Sequence, residues 1–284
     1  MIRAGAADVP EISDFLHRHL AGSMFPLGNL RAHGIIAEGD KAHHPRAQRF
    51  WLRRDGGTIS DVLALTDEGA ALPQLAGGDI DGAIRVLRGK PLMGILGQAE
   101  QVRVLRSGLG LGNAATKIAH DEPHFTLPLS DMILPNLTDT RLIPLSEAPR
   151  DLVNRWCADY EVEALGTAPG DAMAEAARDI ATYLANDSHR VLLAHDTPVA
   201  MTGFNATLPQ AVQIGGVYTP PALRGRGYAR AAVALHLTEA QARGVSLGIL
   251  FAASDMAARA YRALGFQQIG HYNLTVFDGP QVGR

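Results

Sequence analysis

One segment restricts what this chain can fold into more than any other: Val217-Tyr218-Thr219-Pro220-Pro221-Ala222-Leu223-Arg224-Gly225-Arg226-Gly227-Tyr228-Ala229-Arg230. An apolar run over 211–218 precedes its proline pair, a helical pattern occupies 225–243, and a second strand-like run follows at 246–252. A helix of that length between two strands is a crossover, and a crossover makes its strands parallel neighbours. The loop between them then sits at the positive end of a helix, where the first backbone N–H groups have no intrahelical partner and favour an anion. Gly225 and Gly227 carry no side chain that would hold a phosphate away from those amides. Arg224, Arg226 and Arg230 add planar, permanently charged groups around it.

Two glycines before a helix serve several phosphate loops, and the rivals fail residue by residue. A nucleotide P-loop needs a Gly-Lys-Ser/Thr ending, and neither Lys nor Ser follows Gly227. A dinucleotide fingerprint needs a small residue where Arg230 stands, and too little chain remains for its further parallel strands, although Asp255 mimics its ribose-binding acid. Taken alone, the loop is also compatible with a plain strand-to-helix turn whose arginines are solvated.

A second block, Ser254-Asp255-Met256-Ala257-Ala258-Arg259-Ala260-Tyr261-Arg262-Ala263-Leu264-Gly265-Phe266, follows the next strand. Together the two blocks resemble the GNAT superfamily of N-acetyltransferases. Arg224, Gly227 and Ala229 match its Gln/Arg-x-x-Gly-x-Gly/Ala signature, and the second block is similar to its Asn-x-x-Ala-x-x-x-Tyr-x-x-x-Gly-Phe, with Ser254 in place of the usual Asn. The motif match runs from Val217 to Phe266, and the order of elements extends the resemblance over the second half of the chain.

The resemblance implies an enzyme that moves an acetyl group from acetyl-coenzyme A to a primary amine of a small molecule or peptide by direct attack. It places the coenzyme on Val217, Tyr218, Thr219, Arg224, Gly225, Arg226, Gly227, Tyr228, Ala229, Arg230, Ser254, Ala258 and Tyr261. A backbone N–H near Val217 or Tyr218 would polarise the thioester carbonyl, and Tyr261 would protonate the departing thiolate as general acid. Some relatives carry a Glu base on the strand before the loop; here that strand offers Gln213, so Glu161 and Glu163 are the base candidates. A coenzyme-binding or interaction module without catalysis, and an acyl donor longer than acetyl, are the alternatives.

The rest of the chain reads as a mixed α/β (α+β) protein of two tandem domains of the acyl-CoA N-acyltransferase type, 1–137 and 138–284, divided in a proline-rich stretch near Thr138. In the first, a helix over 7–20, strands at 48–53 and 58–66 joined through Asp55-Gly56-Gly57, a helix at 79–88, a strand at 92–96, a helix at 99–107 and a strand near 124–129 are expected. No Arg-x-x-Gly-x-Gly/Ala sequence occurs there, and Gly97-Gln98-Ala99-Glu100 is the nearest thing to a strand-to-helix phosphate turn. The expectation is a degenerate copy that does not bind the coenzyme productively and instead walls the acceptor pocket or mediates self-association, such as a homodimer. In the second, a strand at 140–145 is followed by a helix with Ser146 as N-cap, a helix over 171–184, and an antiparallel meander at 189–194, 199–205 and 211–218. A helix at 256–264 and a strand at 266–277 close it.

A net charge of −3 creates no field for nucleic acid or an anionic membrane, and no run of about 18 apolar residues occurs, so a cytoplasmic protein is expected. Cys157 is the single cysteine, which rules out an intrachain disulfide or cysteine-based metal site; it reads as buried and inert, and no metal is expected. His43-His44 reads as a surface loop, and 107–113, despite its Gly-x-Gly-x-Gly, as a helix-ending turn.

Overall fold

The computed structural model describes residues 1–284. In chain order its elements are β1 (Ile2–Arg3), α1 (Val9–Arg18), α2 (Leu20–His33), β2 (Gln48–Asp55), β3 (Thr58–Thr66), β4 (Ala70–Gln74), α3 (Ile80–Leu87), β5 (Pro91–Gln98), α4 (Ala99–Gly108) and β6 (Thr116–Pro128). There follow β7 (Thr140–Pro144), α5 (Arg150–Leu165), α6 (Ala172–Ala185), β8 (His189–Ala194), β9 (Thr197–Thr207), β10 (Ala211–Tyr218), α7 (Tyr228–Ala242), β11 (Leu247–Phe251), α8 (Asp255–Arg262) and β12 (Gln267–Val282). The chain forms two compact units, residues 1–122 with 271–284, and residues 123–270.

The division near Thr138 therefore falls inside the second unit. The reason is strand pairing. The end of β6, before the proline-rich stretch, pairs antiparallel with β11 from Pro128↔Leu247 to His124↔Phe251 and completes the second unit's sheet. The end of β12 pairs antiparallel with β5, from Tyr272↔Gln98 to Val282↔Pro91, and completes the first. Proline and polar composition marks a flexible link; it carries no information about which sheet a distant strand joins.

In the first unit the expected hairpin β2–β3 forms, with Asp55 opposite Thr58 across Gly56-Gly57 and a register shift between Arg53 and Arg54. Three elements are absent from the expectation, the two-residue β1 among them. The sequence reading omits α2, whose Pro26, Gly22 and Gly28 argue against a helix; burial of Met24, Leu27 and Leu30 outweighs those propensities. It also omits β4, which has no β-branched residue and contains Pro73, yet pairs antiparallel with β3 and parallel with β5.

The second unit's sheet runs β6-β11-β10-β9-β8-β7, and only β10–β11 is parallel. Alternation along its strands gives it two apolar faces. Val212 and Ile214 pack with Val233 and Leu237 of α7, while Val191, Met201 and Tyr218 pack with Val153, Trp156 and Ile180 of α5 and α6. Each fully buried Val, Leu or Ile here contributes roughly 1.5–3 kcal/mol. Ser146 does not cap α5: it lies in a short 3-10 turn, Leu145–Glu147, and Pro149 holds the N-cap position. A proline entering at φ −56° starts the helix without a side-chain cap.

Candidate active site

Parallel pairing of β10 with β11 extends only from Ala211↔Leu247 to Ile214↔Leu250. Beyond it β10 stays with β9 through an irregularity between Gly215 and Tyr218, and Gly216 takes φ +59°, a conformation that favours glycine. Past that bulge the two strands part, and a cleft of about 720 Å³ opens, with Gly215 to Thr219 on one wall and Phe251, Ala253 and Ser254 on the other.

The 224–229 loop closes one end of this cleft. Gly225 and Gly227 have φ of +76° and +83°, and Gly227 is the N-cap residue of α7. The first bond of that helix runs from the Ala231 N–H to the Gly227 carbonyl at 3.0 Å, which leaves the amides of Tyr228, Ala229 and Arg230 without intrahelical partners. A Cβ on Gly225 would meet nothing within 4 Å, and one on Gly227 only the Arg230 guanidinium, at 3.6 Å. The glycines are thus required by backbone hand and not by crowding, and no other protein atom comes within 4 Å of where their Cβ atoms would stand. Two further cleft-lining groups, Arg230 Nε and Thr219 Oγ1, are buried without any hydrogen-bond partner. An orphaned donor of this kind costs about 1–3 kcal/mol until something satisfies it, so the residues present fit a diphosphate followed by an amide-bearing arm.

Other expected residues land differently. Arg224 lines the cleft but is engaged within the protein: its Nε donates to the Thr219 carbonyl at 2.9 Å and its terminal nitrogen to Glu163 at 2.5 Å, tying the loop to α5. Glu163 lines the cleft but is engaged by that pair. Glu161 is absent from the cleft wall. It is 4 % exposed and accepts from Thr167 Oγ1 at 2.6 Å. Consecutive odd positions on a helix point about 200° apart, which is why proximity in sequence did not put both carboxylates in one place. Ala258 is buried in the core, and its neighbours Ala257 and Ala260 reach the cleft.

Ser254 caps α8, its Oγ accepting from the Ala257 N–H at 3.2 Å, as an Asn there would. Tyr261 lines the cleft from α8 with its ring edge-on to Phe266 at 6.0 Å between centroids and only 7 % exposed. Cys157 is fully buried, and burial pushes its thiol up to about 12. Gln213 is buried, its amide unpartnered, and does not line the cleft. The sequence reading missed Tyr160 on the α5 wall. It missed the bulge as well, although paired glycines inside a strand, Gly215-Gly216, are the usual signal for one.

Burial pushes the Glu161 carboxyl up to about 7, with Asp179 and Glu175 adding to the rise against the Thr167 bond. The folded chain therefore holds this proton where the unfolded chain, near 4.5, has released it. The stability this group contributes is fully present below that lower value and is lost as pH rises between the two. Glu161→Gln keeps the hydrogen-bonding shape without the charge and is expected to flatten this fall; urea midpoints from pH 4 to 8 that decline equally in both proteins would refute it.

The first unit holds a second parallel pair, β4 with β5, in register over Ala70↔Gly94 and Ala71↔Ile95. Topology places its cradle at Leu75-Ala76-Gly77-Gly78-Asp79, between β4 and the crossover helix α3, and not at the 97–100 turn before α4. This position is filled from within. The Gln101 amide accepts from the Leu75 N–H at 3.2 Å and donates to the Leu75 carbonyl at 3.3 Å. Asp61 accepts from the Asp79 N–H at 3.3 Å, and Asp79 from the Gly82 N–H at 3.0 Å. Two carboxylates thus occupy the helix start whose counterpart in the second unit is left open.

The Acetyltransferase (GNAT) family model matches residues 151–266. Among solved structures, the chain is similar to a GCN5-related N-acetyltransferase from Kribbella flavida, with 17% identity over 91% of this chain and 96% of that one and a TM-score of 0.53. It is similar to another from Sphaerobacter thermophilus, with 16% identity over 98% and 96% and a TM-score of 0.54. A tandem GNAT protein from the clavulanic acid biosynthesis pathway shares 17% identity over 99% and 98%, with a TM-score of 0.50. No curated protein sequence matches the chain. At such identities the structures speak for the fold, and they do so across both units, whereas the sequence match covers the cleft and its loop. Splayed strands, an open helix start and both motifs thus lie in the one unit whose residues 151–266 match the GNAT acetyltransferase family model.

Proposed function

We propose that the second unit transfers an acetyl group from acetyl-coenzyme A to a primary amine of a small molecule or peptide. The observation that carries this reading is the cleft between β10 and β11, which ends on unpaired helix amides and the orphaned Arg230 Nε. Bound there, acetyl-coenzyme A would supply an activated thioester. The helix start and Arg230 would hold its diphosphate. The bulged backbone at Gly216 and Val217 lies where the sheet ladder is interrupted, so a backbone N–H there would be free to donate to the thioester carbonyl oxygen and stabilise the charge that develops on it. Tyr261, held by Phe266 and the α8 packing, delivers its proton to the departing sulfur. Ser254 fixes the start of the helix that carries it.

Calorimetric titration of the whole chain with coenzyme A is expected to give one site per chain at sub-millimolar affinity. No heat up to millimolar ligand sinks the proposal, and two equivalent sites overturn the closure of the first unit by Gln101, Asp61 and Asp79. Free-thiol release with an amine panel separates an enzyme from a coenzyme-binding module, which would bind and release nothing.

A further inference from the structure

An attacking amine must lose a proton, and neither carboxylate expected to take it is placed to do so: Glu161 lies off the cleft and Glu163 is held by Arg224. A different group joins a cleft-lining strand to an exposed carboxylate. Tyr218 stands one residue beyond Val217 on the bulged strand, lines the cleft, and is 4 % exposed. Its hydroxyl donates to Asp159 Oδ2 at 3.1 Å, and Asp159 is an exposed residue of α5. The ring is held in place by Trp156, 6.3 Å away between centroids, and by the Arg224 guanidinium at 5.8 Å.

We propose that Tyr218 and Asp159 form the exit path for the proton of the attacking amine. This rests on the acetyl-transfer reading above. As the amine nitrogen bonds to the acyl carbon, its N–H bond breaks and the proton goes to the Tyr218 hydroxyl oxygen. In the same movement the Tyr218 O–H bond breaks and its proton passes to Asp159 Oδ2, which gives it up to bulk water. Tyr218 begins and ends as a neutral phenol. That suits its surroundings, since burial, with Asp159 beside it, pushes the phenol up to about 12 and disfavours a phenolate. A relay through a hydroxyl avoids that anion altogether. The charged groups facing Tyr218 are Asp159 and Glu163 from α5 and Arg224 from the loop; the same cluster holds the titratable Cys157 and Tyr160 of α5 and Tyr183 of α6, while its partner on β9, Met201, and Ala172, Ala176 and Ile180 of α6 carry no charge.

The test compares the full chain with Tyr218→Phe, Asp159→Asn and the double variant, using spermidine and a lysine-containing tetrapeptide as acceptors and free-thiol release as the readout. Each single variant is expected to lose about 10²-fold in kcat, with the dissociation constant for coenzyme A unchanged within about twofold. The double variant should be no slower than Tyr218→Phe, because the two residues act in series. In all three the residual rate should climb with pH at slope one, as hydroxide replaces the relay. A residue with only a structural role would scale the whole pH profile without changing its shape. Profiles of unaltered shape, or losses that multiply in the double variant, overturn the relay while leaving acetyl transfer standing. Absence of transfer by the unmodified chain overturns both.

Discussion

Gly227→Val is expected to weaken coenzyme A binding by at least about a hundredfold, roughly 2.7 kcal/mol, with the circular dichroism spectrum unchanged. Gly227 sits at φ +83°, where an L-residue costs about 1–2 kcal/mol, and a β-branched one more. The strained residue escapes by rotating its backbone, and that rotation moves the start of α7. The amides of Tyr228, Ala229 and Arg230 would then no longer converge on one point. The new side chain also projects toward the Arg230 guanidinium, 3.6 Å from where its Cβ would be, and into the space a diphosphate needs. The helix itself is anchored by Ala232, Val233 and Leu237, all fully buried, so the unit should survive a local cost of this size. Binding that persists within threefold of the parent, measured by calorimetry on folded protein, would remove the loop as the diphosphate site.

Tyr261→Phe is expected to lower kcat by about 10²–10⁴-fold, the usual contribution of a placed general acid, and to leave coenzyme A affinity within about twofold. Phenylalanine keeps the edge-on contact with Phe266 and the packing against the core cluster, and it removes only the hydroxyl. The loss should therefore fall on turnover and not on binding. The comparison is cleanest with a pre-steady-state measurement, so that slow product release does not hide the chemical step. Equal single-turnover rates for both proteins would rule out the tyrosine as proton donor. A large loss of coenzyme affinity would instead assign its hydroxyl to binding.

Legibility in the sequence followed the range of the interactions involved. The meander β8–β9–β10, the crossover α7 and the parallel partner β11 were readable because apolar periodicity and turn residues act over a few positions. The helix start and its glycines were readable for the same reason: the need for positive φ is written in a single residue. Where burial decides, the reading failed. The helix α2 forms despite Pro26 because Met24, Leu27 and Leu30 are covered, and β4 forms despite Pro73 because β3 and β5 supply its partners. Covering surface and distant strands are properties of the folded chain.

The site divides along the same line. By itself the sequence determined where a helix would start with open amides, since the Arg224 to Ala229 segment needs only a strand, a helix and two glycines to expose them. Only the tertiary structure decided which charged groups serve that place. Arg224 is paired with Glu163, sixty-one positions earlier on α5, while Arg230 Nε is left buried and unpaired. It also decided that the first unit's equivalent is closed, because Gln101 and Asp61 reach it from other elements. Backbone conformation is set by neighbours in the chain; the pairing of long charged and polar side chains is set by whichever partners folding brings within about 3 Å.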